Sequence, residues 1–80
     1  MRLPRDLSGD ELARRLGRAG YSVTRQTGSH MRLTTTKPRE HHITIPRHDA
    51  LRVGTLASIL DDVATHREIT RDELMARLFA

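Results

Sequence analysis

The stretch from Tyr21 to Pro46 leaves this chain the fewest choices. Three short strand-like runs follow one another there with only turn residues between them. Tyr21 to Gln26 alternates, with Tyr21, Val23 and Arg25 on one side and Ser22, Thr24 and Gln26 on the other. Thr27-Gly28 reads as a tight hairpin turn. His30 to Thr36 is rich in β-branched residues and sets Met31 and Leu33 on one face. Lys37-Pro38-Arg39-Glu40 is a second turn, because Pro38 cannot sit in a central strand. His42 to Pro46 forms a third strand with Ile43 and Ile45 on its apolar face. Connections this short leave no room for a crossover, so the strands make an antiparallel meander.

Helical signals stand on both sides of the meander. Ser8-Gly9-Asp10-Glu11 is a capping box, with Leu7 and Leu12 as its hydrophobic staple. Leu12, Leu16 and Ala19 continue one apolar stripe, and Gly20 is placed to end the helix in a left-handed conformation. After a connection from Arg47 to Arg52, Leu56, Ile59, Leu60 and Val63 fall at helical spacing. Thr55 or the residue before it is expected to cap that helix. Thr70-Arg71-Asp72-Glu73 is a second capping box, stapled by Ile69 and Leu74. It opens a short last helix carrying Leu74, Leu78 and Phe79.

The order is α-β-β-β-α with one extra C-terminal helix, an α+β arrangement in which helices cover one face of the sheet. At 80 residues the chain is a single domain, residues 1–80, with a core over about 7–65 and a helical extension over 68–80. The uncovered face should carry His30, Arg32 and Thr34 from the second strand and His42 and Thr44 from the third.

Composition narrows the partners and the chemistry. The chain has no Cys, which rules out disulfides and Cys-ligated metal centres, and a small chain without staples fits the reducing cytoplasm. No apolar run reaches the length of a membrane span, and the start Met1-Arg2-Leu3-Pro4-Arg5-Asp6 lacks the apolar run of a signal peptide. The net charge is +4, and Lys37 is the single Lys among 14 basic residues. Arg presents a planar fork that matches phosphate, so the balance points to a polyanion, with nucleic acid first. An Arg-favouring genome would leave the same mark.

Gly28-Ser29-His30 is the sharpest local feature. The glycine lets the backbone turn, and the imidazole emerges as the strand begins. RNA carries its own nucleophile in the 2′-hydroxyl, so one well-placed His with cations on the phosphate suffices to cleave it without metal. An ordinary surface His after a turn is the plainer reading. His41, His42 and His48 invite a metal reading, but adjacent His residues on a strand point to opposite faces. No metal ligand set and no organic cofactor is therefore expected.

Taken together, these pieces resemble the HicA family of toxins from toxin–antitoxin pairs. The likeness runs from about Leu7 to Val63. It rests on Gly20-Tyr21, on Val23-x-Arg-Gln-x-Gly-Ser-His30, on Ile43-Thr-Ile-Pro-x-His48, and on Leu51, Gly54-Thr55-Leu56 and Ile59-Leu60. The resemblance implies a double-stranded-RNA-binding-domain-like fold, an endoribonuclease that cleaves mRNA, and a HicB-like antitoxin that covers the active site. It maps the catalytic role onto His30, as general base or acid, with Gly28 and Ser29 as positioning residues. Arg25, Arg32 and Arg47 are the cations expected to hold the substrate phosphate. Two departures stand out: Met31-Arg32-Leu33 and Lys37-Pro38-Arg39-Glu40 replace the usual residues after the motif and in the second hairpin, and Glu68 to Ala80 is added. That addition is either a surface for self-association or antitoxin binding, or a helix closing a thin core. The rival functions are a non-catalytic RNA-binding module on the same fold and an inactive partner-binding adaptor.

Overall fold

A computed structural model describes residues 2–80. Met1, where the expected domain span and N-terminal reading begin, lies outside the described residues. Helix α1 (Gly9–Leu16) is followed by a 3-10 turn (Gly17–Ala19), then strands β1 (Ser22–Gln26), β2 (His30–Thr35) and β3 (His41–Pro46), then helices α2 (Val53–Arg67) and α3 (Arg71–Phe79). The sheet is antiparallel in the order β1-β2-β3, the α+β meander expected from the turn spacing.

Local chemistry explains most of these boundaries. Ser8 accepts the Glu11 amide at 3.0 Å, but the Glu11 carboxylate turns to Arg14 and Arg15 instead of reaching back to Ser8. The first capping box is therefore half made: two guanidiniums one turn on attract the carboxylate more strongly than one neutral amide. The second box is complete, with Thr70 and Glu73 each accepting the other's backbone amide. Helix α2 begins two or three residues earlier than expected. Its N-cap is Arg52, whose side chain makes no capping hydrogen bond, and Thr55 lies inside the first turn. Gly20 ends the 3-10 turn at φ 88°, the left-handed conformation foreseen for it. Gly9 meets a different demand, since a Cβ there would stand 2.1 Å from the Pro46 carbonyl oxygen. Helix α1 starts hard against the end of β3, and its Gly9 amide donates to the His48 carbonyl at 3.0 Å.

The helices cover one face of the sheet. Met31, Leu33, Ile43 and Ile45 point into a core shared with Leu12, Leu16, Leu56, Leu60 and Val63. Leu74, Met75 and Leu78 of α3 are as fully buried as any of these, and α3 packs on α2, α1 and the 3-10 turn. Arg15 and Arg18 donate to the Leu78 carbonyl at the end of α3, at 2.9 and 3.3 Å, and the Arg15 guanidinium lies 5.1 Å from the Phe79 ring centre. The C-terminal extension thus completes the core. This observation favours its packing role over a free docking surface.

Candidate functional site on the open sheet face

The uncovered face holds the residues that alternation assigned to it. His30, Arg32, His42 and Thr44 are exposed and Thr34 is half-buried, while Met31, Leu33, Ile43 and Ile45 face inward. Strand β1 departs from simple alternation. Val23 pairs with Leu33 and Arg25 with Arg32, so β1 spends one extra residue, Thr24, on the interval. That bulge breaks the two-residue period. Arg25 is turned away from the side it was expected to share with Tyr21 and Val23 and joins Arg32 on the open face.

The two guanidinium-bearing residues consequently sit directly opposite each other in the ladder. Neither side chain has an ion-pair or hydrogen-bond partner among the described residues. Like charges in that position repel, so the pair gains from any anion that settles between them. Arg47 differs. Its guanidinium lies on Asp10, with Nε 3.1 Å from Oδ1 and Nη2 3.3 Å from Oδ2, and this hydrogen bonding raises its pKa above the ordinary value. Its backbone amide donates to the Ser29 carbonyl at 2.8 Å, which ties the loop before His30 to the end of β3.

The loop from Thr27 to Ser29 has three residues and is closed by the Thr27 amide on the His30 carbonyl at 2.9 Å. Gly28 does not have a positive φ, and a Cβ there would meet open space. The turn itself therefore does not require glycine, contrary to the expectation from sequence. Next to it, the Ser29 hydroxyl lies 2.9 Å from His30 Nδ1. When Nδ1–H donates to Ser29, Nε2 carries the free lone pair and faces solvent as a base.

The neighbouring imidazoles are separated as the alternation required. His42 stays on the open face, with Nδ1 2.7 Å from the Thr34 hydroxyl and Nε2 2.8 Å from a Glu40 carboxylate oxygen. Thr34 in turn lies 2.8 Å from the Thr24 hydroxyl. His41 faces the helices. Its Nδ1 is 2.7 Å from the Tyr21 hydroxyl, its Nε2 3.1 Å from Asp62, and its ring stacks on His66 at 4.3 Å between centres. Burial, with a smaller push from the Asp62 charge, raises the Tyr21 pKa to about 12. His48 lies apart in the connection to α2. Among the described residues no three His, Cys, Asp or Glu side chains converge on one point.

The sequence reading passed over Glu40 and Thr24, which order the open-face network, and Asp62 and His66, which complete the covered one. Asp62 and His66 stand four apart and share one face of α2, but their meeting with His41 depends on how α2 approaches β3.

A three-stranded sheet with helices on one side and unpaired arginines beside an oriented imidazole on the other defines a small α+β domain with a cation-bearing open sheet face. Residues 9–64, more than half of the chain, match the model of the HicA toxins of bacterial toxin–antitoxin systems. The chain belongs to that family. Helix α3 lies beyond the matched residues. No curated protein and no solved structure matches the chain. No helix among the described residues is long and apolar enough to cross a membrane.

Proposed function

We propose that this chain is a metal-independent endoribonuclease that cleaves mRNA, with His30 as its catalytic residue. The observation that carries the reading is the Ser29–His30 hydrogen bond beside the unpaired Arg25–Arg32 pair. Ser29 accepting from Nδ1 leaves His30 Nε2 free to take the proton of a ribose 2′-hydroxyl. The 2′-oxygen then attacks the adjacent phosphorus, and the bond to the 5′-oxygen breaks. That oxygen leaves with a proton from solvent or from the imidazolium. The products are a 2′,3′-cyclic phosphate and a 5′-hydroxyl. Arg25 and Arg32 supply positive charge to the phosphate, and their freedom from partners favours them over Arg47, whose guanidinium is held by Asp10. Gly28, with open space where a side chain would stand, lets the RNA backbone come close to the motif.

Family membership supports a HicB-type antitoxin as the resting partner. An acidic antitoxin surface covering this face would exclude RNA directly, and complementary charge would speed its association. The rival reading, a duplex-gripping module without catalysis, is disfavoured by the start of α2. Arg52 is the only cation at that end of the helix, and Asp61 and Asp62 follow on the same helix.

The test is inducible expression of the wild-type chain beside His30→Ala, with growth and RNA integrity followed. Wild type should arrest growth and fragment mRNA, and His30→Ala should do neither at equal abundance. Equal toxicity of the two would refute the assignment.

A further inference from the structure

His42 is the second imidazole on the open face, and its position and bonding exclude it from the reaction at His30. Thr34, its cross-strand neighbour, is four residues along β2 from His30, about 13 Å at the rise of a strand. Both His42 nitrogens are also engaged. Glu40 is a carboxylate and only accepts, so Nε2–H donates to it, and in the neutral ring Nδ1 then accepts from the Thr34 hydroxyl. The Thr34 hydroxyl also meets that of Thr24. This network leaves the ring no free nitrogen for a phosphate. The ring is nonetheless 36% exposed, and two hydrogen bonds hold its orientation.

Charge along the face changes in the same direction. Arg25 and Arg32 lie between the two imidazoles, while Glu40 stands at the far end, 70% exposed. A phosphate is drawn to the arginines and repelled by Glu40. A base is neutral and is not repelled. What suits this end of the strip is the flat face of a base, and a fixed, exposed ring is the kind of surface on which bases stack.

We propose that His42, ordered by Glu40 and Thr34, is a stacking platform for the base of a nucleotide neighbouring the scissile one, and so helps determine which RNA sites are cut. The inference rests on the RNA-cleaving reading of this face. It makes His42 a specificity residue and leaves the chemistry to His30.

The experiment uses the purified chain and RNA oligonucleotides varied one position at a time around a mapped cleavage site. His42→Ala should raise KM by roughly 5- to 150-fold, the worth of one stacked base, with a smaller change in kcat. It should flatten the preference at one neighbouring position. His42→Phe keeps a flat ring without the hydrogen bonds, and should recover most of the affinity. Melting curves of the three proteins check that each is folded. Unchanged KM and preference in folded His42→Ala would overturn the inference while leaving the ribonuclease reading standing. Loss of kcat at constant KM would overturn it too, because His42 would then act at the reacting bond. Absence of RNA cleavage by the wild-type chain would remove the ribonuclease reading and this inference together.

Discussion

His41 and His42 are adjacent in sequence and similar in chemistry, yet the sheet gives them opposite work. Each imidazole bridges a hydroxyl and a carboxylate: Tyr21 and Asp62 for His41, Thr34 and Glu40 for His42. The first array is packed under α2, with Tyr21 buried and His66 stacked on the ring. It ties Tyr21, just before β1, to β3 and α2; its Tyr21–His41 bond is part-buried and partly shielded from water, while its Asp62 arm is exposed. The second array lies on the open face, where water competes for every partner and such contacts add little stability. The same arrangement is structural where the helices cover it and available to a ligand where they do not.

The largest test of that contrast removes core from the covered side. Leu74→Ala in α3 should destabilise the domain by about 2–5 kcal/mol, because Leu74 is fully buried. In an 80-residue domain that is a large share of the total stability. Chemical denaturation measures it. A loss under about 1 kcal/mol would mean that α3 is peripheral, and would return it to the list of docking surfaces.

How far the contrast was legible in the sequence depends on the range of the interactions. The strict alternation of β2 and β3 placed Met31, Leu33, Ile43 and Ile45 inward and His30, Arg32, His42 and Thr44 outward, since each side chain's face follows from its neighbours. Arg25 was not legible in the same way. A single extra residue at Thr24 reverses its face, and nothing in a five-residue strand marks the bulge. The half-made capping box at Ser8 shows a nearby competition, with Arg14 and Arg15 drawing Glu11 away. His66 and Asp62 reach His41 only through the approach of α2 to β3, a tertiary contact that no local pattern encodes.

Within the covered array, Tyr21→Phe should cost about 1–3 kcal/mol, because it leaves the buried side of His41 without its hydroxyl donor. It should also change the alkaline limb of stability. The Tyr21 pKa is about 12 when folded, against 10.0 for the free side chain. Above pH 10 the unfolded chain therefore loses this proton while the folded chain keeps it. The contribution is full below pH 10 and is lost as pH rises through about 12. Tyr21→Phe should flatten that part of the profile, as read by denaturant midpoints across alkaline pH. A wild-type stability independent of pH in that window would show Tyr21 to be less protected than the geometry indicates.

The smallest effect belongs to the open array. Thr34→Val removes the hydroxyl between Thr24 and His42, and on this partly exposed face it should change stability by no more than about 0.5 kcal/mol. A loss as large as that of Tyr21→Phe would erase the distinction between the two arrays.

Under the proposed function, the open face cleaves RNA through His30 and the substrate's own 2′-hydroxyl. The most direct measurement follows cleavage of a defined RNA by the purified chain in excess chelator, beside His30→Ala and beside the same RNA with a 2′-deoxy nucleotide at the scissile position. Wild type should cut the RNA, leave a 2′,3′-cyclic phosphate or 3′-phosphate end, and fail on the deoxy substrate. His30→Ala should be slower by ~10²–10⁴, the usual contribution of a general base. Undiminished cleavage by His30→Ala, or cleavage that stops in chelator and returns with added divalent ion, would rule out metal-independent catalysis by His30.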